Sequence, residues 1–92
     1  MDLQELRTQI DEIDSSLVSL FVRRMALSEQ VALFKKNHAL PVLDTQREQE
    51  KLQSVAAQAP EKLDADVRSL YERIMELSRR RQLALLSEDE VV

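Results

Sequence analysis

No cysteine occurs in this chain of 92 residues, which excludes disulfides, thiolate catalysis and cysteine-ligated zinc. Glycine is also absent, and with it the phosphate-cradling loops and dinucleotide fingerprints that depend on it. Proline occurs only at Pro41 and Pro60, so nothing interrupts the stretch from Leu3 to Lys36. The aromatic residues are Phe21, Phe34 and Tyr71, too few for a stacking platform that binds single-stranded nucleic acid. The formal charge of -4 disfavours a general nucleic-acid or anionic-membrane binder. No apolar run approaches the length of a membrane span. The opening Met1-Asp2-Leu3-Gln4-Glu5 is acidic and lacks the apolar region of a signal peptide, so a cytoplasmic protein is expected. There is no internal repeat and no low-complexity segment, and residues 1–92 read as a single small domain. A core of this size is marginal alone, and oligomerisation is a common remedy.

What the chain does have is a seam. Leu3, Leu6, Ile10, Ile13, Leu17, Leu20, Leu27, Val31 and Phe34 step by three and four, the spacing of one helix face with a heptad beat. Arg24 stands where that beat calls for an apolar residue between Leu20 and Leu27. A charge in an apolar seam is costly unless it meets a partner. Arg24 is therefore either paired within the protein or kept for an anionic ligand. A helix from Leu3 to Lys36 is roughly 50 Å long. A compact domain of this size has a radius of gyration near ~13 Å. One chain cannot cover such a helix, and a second copy is the simplest source of the missing surface.

The pattern predicts three helices. The first spans about 3–36, with Asp2 and Glu5 at its start, Lys35 and Lys36 in its last turn, and Asn37 as a cap. A short link through His38 and Pro41 follows, with Val42 and Leu43 expected to pack against the core. The second helix spans about 45–58, and Thr45-Gln46-Arg47-Glu48 has capping-box spacing. The third spans about 64–86, with Asp64 as N-cap and Val67, Leu70, Tyr71, Ile74, Leu77 and Leu85 as its stripe. The acidic tail from Ser87 to Val92 is expected to fray. The expected class is an all-α dimer.

Several polar residues fall where chemistry is possible. Lys35 lies eleven residues beyond Arg24, within about 20° of the same face and roughly 16 Å along the axis. Two inward cations suit a di-anionic ligand, or structural salt bridges to Glu48, Glu50 or Glu72, which the spacing alone slightly favours. Arg7 lies roughly 25 Å from Arg24 along a straight helix, so it is either a surface arginine or a group that reaches a second chain. Asp44, Arg47 and Glu48 cluster at the start of the second helix, where capping explains the acids without any ligand. Ser78 and Gln82 interrupt the third stripe, as core-edge hydrogen-bonding residues or as donors to a ligand. Arg79-Arg80-Arg81 reads as a solvated basic face. His38, with no second histidine, is a poor metal candidate and reads as a surface residue.

Together these residues resemble a known family. Leu6-Arg7-x-x-Ile10-Asp11-x-x-Asp14-x-x-Leu17-x-x-Leu20, then Arg24, Val31 and Lys35, then Pro41-Val42-x-Asp44-x-x-Arg47-Glu48, then Tyr71-x-x-Ile74-x-x-x-Ser78-x-x-x-Gln82 resembles the all-helical chorismate mutases. The likeness runs from about Leu3 to Leu86. It implies an entwined homodimer of three-helix chains. It also implies conversion of chorismate to prephenate by intramolecular rearrangement, with no cofactor, metal or covalent intermediate. Carried onto this chain, Arg24 and Arg7 of the partner subunit would bind the two carboxylates of chorismate. Lys35 would contact a carboxylate and the ether oxygen, and Gln82 would be the second donor to that oxygen. Glu48 would hold the ring hydroxyl with Asp44 nearby. Arg47 and Ser78 would complete the polar wall, and Val31 and Met75 would face the ring. Arg79 departs from the pattern, which places an apolar wall residue there.

Two other functions fit the same features. Isochorismate-pyruvate lyases share the fold, and the Asp44-x-x-Arg47-Glu48 cluster favours the mutase over them. A non-catalytic regulatory or dimerisation domain of a shikimate-pathway enzyme would bind a metabolite without turnover. A bare coiled coil leaves the matched polar positions unexplained.

Overall fold

The structure, a computed structural model, describes residues 1–90. Its order is α1 (Leu3–Asn37), α2 (Thr45–Ala57), a 3-10 turn (Glu61–Leu63) and α3 (Asp64–Glu90). The class is all-α, with three helices and no strand among the described residues. No helix there is long and apolar enough to cross a membrane. Val91 and Val92, the end of the tail expected to fray, lie outside the described residues, and α3 itself runs past the expected Leu86 to Glu90.

Each boundary has a local cause. Asp2 caps α1, its Oδ1 accepting from the Glu5 N–H at 2.8 Å. At the other end Asn37 is the last helical residue, and His38 takes the cap position expected of Asn37. Ala39 N–H donates to Lys36 O at 3.3 Å and Leu40 N–H to Lys35 O at 2.8 Å, which is the paired closure of a Schellman motif. That closure needs a left-handed residue, and in a chain without glycine Ala39 supplies it at φ 54°. The His38 ring stacks on Phe34 at 3.9 Å between centroids and its Nδ1 contacts Phe34 O at 2.8 Å, so this histidine is tied to the helix end.

Asp44, rather than Thr45, caps α2: its Oδ1 accepts from the Arg47 N–H at 3.0 Å. Glu48 then sits one position beyond the capping-box place and its carboxylate is available elsewhere. Asp64 is not an N-cap. The 3-10 turn after Pro60 feeds straight into α3, so Asp64 is already in the α conformation, at φ -62° and ψ -42°.

Helix α3 packs against both α1 and α2. The buried apolar residues are Ala32 of α1, Leu52 and Val55 of α2, and Met75 of α3. With them lie three buried polar residues, Ser28, Ser78 and Gln82. This core touches only the second half of α1. Every residue from Met1 to Leu20 is exposed, and Leu3, Leu6, Ile10, Ile13, Leu17 and Leu20 are each 45–60% exposed. The chain is accordingly elongated, with extents of 56 × 29 × 14 Å and a radius of gyration of 16.6 Å. In the link, Val42 is half-buried, whereas Leu43 remains largely exposed.

Candidate active site

Two stripes of equal spacing face each other across α1 and α3. Arg24, Ser28, Val31 and Lys35 occupy one face of α1, and Tyr71, Met75, Ser78 and Gln82 occupy one face of α3. Their side chains meet. Arg24 Nη1 donates to Ser78 Oγ at 3.5 Å, and its guanidinium carbon lies 5.8 Å from the centre of the Tyr71 ring. The Ser28 and Ser78 hydroxyls are 2.6 Å apart, and Gln82 Nε2 donates to Ser28 Oγ at 2.7 Å.

Above this line of contacts opens a cleft of about 180 Å³. Arg24 and Val31 line it from α1, Val42 from the link, Arg47, Glu48 and Lys51 from α2, and Met75, Ser78, Arg79 and Gln82 from α3. Lys35 is not among the lining residues, but its ammonium donates at 2.8 Å to the carbonyl of Val42, which is. The Schellman closure holds that carbonyl's loop against the end of α1, so the helix stop and the lysine position are one construction.

The electrostatics are lopsided. Four cationic side chains, Arg24, Arg47, Lys51 and Arg79, line the cleft against one carboxylate, Glu48. The carboxylates proposed to neutralise Arg24 and Lys35 are engaged elsewhere. Glu48 pairs with Arg79, Glu72 with Arg68 at 3.6 Å, and Glu50 accepts from Gln46 at 3.2 Å. Among the described residues neither Arg24 nor Lys35 forms an ion pair. Lys35 has two ammonium N–H donors beyond the one given to Val42. Such a cleft suits a small anion bearing carboxylates, which arginine can engage through paired N–H groups.

The remaining expected site residues are distributed unevenly. Arg47, Glu48, Ser78 and Gln82 come together at the cleft, as do Val31 and Met75. Asp44 is exposed at the cap of α2 and does not line it. Arg7 lies on the exposed first half of α1, away from the cleft of its own chain. The basic run is not a uniformly solvated face. Arg79 is half-buried and pairs with Glu48 across α2 and α3, and Arg81 pairs with Glu29 across α1 and α3.

Two residues escaped the sequence reading. Lys51 follows Arg47 by one turn and shares its face, a signal that was available. Ser28 follows Arg24 by one turn, but a lone serine in a helix carries no pattern of its own.

Comparison with known proteins places this geometry in a family. Residues 6–83 match the family described as chorismate mutase type II. Over 52 residues the chain is 40% identical to the T-protein of Haemophilus influenzae, a match covering 56% of this chain and 14% of that protein. Over 46 residues it is 39% identical to the chorismate mutase of Methanocaldococcus jannaschii, covering 50% of this chain and 46% of that protein. The chain thus spans less than half the length of these curated relatives. No solved structure matches it at a significant level. The family match takes in Arg7, both facing stripes, the α2 cluster and Gln82, and on that ground the chain belongs to the chorismate mutase type II family.

Proposed function

We propose that this chain is a chorismate mutase, converting chorismate to prephenate by an intramolecular Claisen rearrangement on the route to phenylalanine and tyrosine. The observation that supports it is the cleft itself: Arg24, without an ion-pair partner among the described residues, lines a site of about 180 Å³ together with the buried Gln82, and Lys35, likewise without one, bonds to the Val42 carbonyl beside it. The reaction breaks a C–O bond and forms a C–C bond within one molecule. It needs no nucleophile, general base, metal or cofactor, and a chain without cysteine can perform it.

Two physical effects remain. The first is conformational. Arg24 and Arg7 of the partner subunit take the two carboxylates, folding the enolpyruvyl arm over the ring in near-attack geometry, with Val31 and Met75 against the ring. Arg47 and Ser78 complete the polar wall. The second effect is electrostatic. Negative charge grows on the ether oxygen as the C–O bond breaks, and donors already in place stabilise it without reorganising. Lys35 and Gln82 fill that role. Glu48 accepts from the ring hydroxyl through the carboxylate oxygen that Arg79 leaves free, with Asp44 near that end of the site.

The same proposal includes a homodimer. The first half of α1 exposes its apolar seam, and a groove of about 640 Å³ between α1 and α3 is lined by Phe21, Met25, Leu77, Leu83 and Ala84 together with Arg80 and Arg81. A second copy whose α1 runs along this surface covers both and carries its Arg7 toward the first copy's cleft. A cytoplasmic location belongs to the same proposal.

Parallel incubations of the purified protein with chorismate and with isochorismate test the reaction. Prephenate from chorismate is the expected result. Pyruvate from isochorismate with chorismate untouched identifies a lyase instead, and ligand binding without turnover of either identifies a regulatory module.

A further inference from the structure

Gln82 is buried, and among the described residues its Oε1 has no hydrogen-bond partner while its Nε2 donates to Ser28. That arrangement leaves a buried acceptor orphaned on a residue that lines the cleft together with Arg24, Arg47, Lys51 and Arg79. An unpaired buried acceptor is costly, and an acceptor is the wrong group to offer an anionic ligand. The two ends of a glutamine amide have the same shape, so a half-turn about the terminal bond fits the same space.

After that half-turn the polar groups form one directed chain. Ser28 Oγ donates to Gln82 Oε1 across the same 2.7 Å, Ser78 Oγ donates to Ser28 Oγ across 2.6 Å, and Arg24 Nη1 donates to Ser78 Oγ at 3.5 Å. Each hydroxyl gives one proton and accepts one. The Gln82 N–H groups then occupy the place of the orphaned oxygen, on the side away from Ser28. No other arrangement of these hydroxyl protons lets the guanidinium donate to Ser78 and the amide oxygen accept at Ser28.

We infer that Ser28 is a positioning residue: its buried hydroxyl holds the Gln82 amide with nitrogen toward the cleft, ready to donate to the ligand's ether oxygen. The inference rests on the proposed mutase reaction for its kinetic consequence, but the orientation itself does not. Serine within a helix often turns its hydroxyl back to the carbonyl one turn earlier. Ser28 instead directs it across to α3.

Steady-state turnover of chorismate by Ser28→Ala, Gln82→Ala and the double variant reads the coupling. Ser28→Ala is expected to lower kcat about tenfold, the scale of one net hydrogen bond, with KM changed less than about twofold. The double variant should be no slower than Gln82→Ala alone, because without the amide Ser28 has nothing to position. Ser28→Thr, which keeps the hydroxyl, should recover part of the loss. Unchanged kcat in folded Ser28→Ala, or losses that multiply in the double variant, overturns the inference. A neutron structure of the unliganded protein reads the orientation without any turnover. Deuterium on the amide atom turned away from Ser28 supports it, and deuterium on the atom facing Ser28 refutes it, even if the protein proves to have another activity.

Discussion

Arg24 and Lys35 are the residues on which the proposed chemistry turns. Their places in an apolar seam are legible in the sequence, but a one-dimensional pattern cannot say which carboxylates are already taken. The structure does, because Glu48, Glu50 and Glu72 all have other partners. Lys35→Ala or Arg24→Ala should therefore lower kcat/KM for chorismate by about 10²–10³-fold, as for loss of a donor to developing charge. Circular dichroism should show an unchanged helical fold, because neither side chain neutralises a carboxylate. Arg79 offers a contrast. It shares its pair with Glu48 at side-chain exposures of 32% and 23%. Arg79→Met should alter stability by less than about 1 kcal/mol in chemical denaturation. Its larger effect should be a lower kcat/KM, since Glu48 loses the group that orients it. By charge pattern this arginine was indistinguishable from its neighbours Arg80 and Arg81, and only the family resemblance set it apart, because the face that meets α2 is decided by packing.

The elements follow from short-range rules where those rules have strong signals. The seam of α1 matches the helix Leu3–Asn37, whereas the stripe of α3 stops a turn short of Glu90, and Asp44 was a visible capping candidate. The 3-10 turn at Glu61–Leu63 was not visible, because a single turn has no periodicity to detect. The end of α1 depends on a residue type the chain does not contain. Ala39 occupies a left-handed conformation at φ 54° that glycine adopts without steric penalty. Ala39→Gly should raise stability by about 1 kcal/mol in a denaturant titration. It should leave turnover intact, since the loop that presents the Val42 carbonyl to Lys35 keeps its shape. Asp44→Ala should do the reverse, lowering stability by about 1 kcal/mol through loss of the cap on Arg47 N–H.

At the scale of the whole molecule, length alone argued that one chain could not cover α1, and the extent of 56 Å matches a helix of that length. Which surface meets which is a matter of three-dimensional shape that the seam does not encode. The exposed run Leu3, Leu6, Ile10, Ile13, Leu17 and Leu20 gives the dimer proposal a specific test. Ile13→Asp should shift the protein toward monomer in sedimentation equilibrium, with loss of helix, because the uncovered half of α1 has little tertiary support. The small core of Ala32, Leu52, Val55 and Met75 points the same way, since it is too little apolar surface for a stable isolated domain.

The proposed reaction depends most directly on a cleft that a second copy would complete. The decisive measurement is chorismate turnover in a mixture of two inactive variants, Arg7→Ala and Lys35→Ala, after subunit exchange has been verified. Each heterodimer then holds one site with both residues intact and one with neither. An equal mixture is expected to regain about a quarter of the wild-type rate, following random pairing of two-fold dimers. No recovery in a verified heterodimer, or full activity of Arg7→Ala alone, would contradict the shared site and leave the cleft to be explained within a single chain.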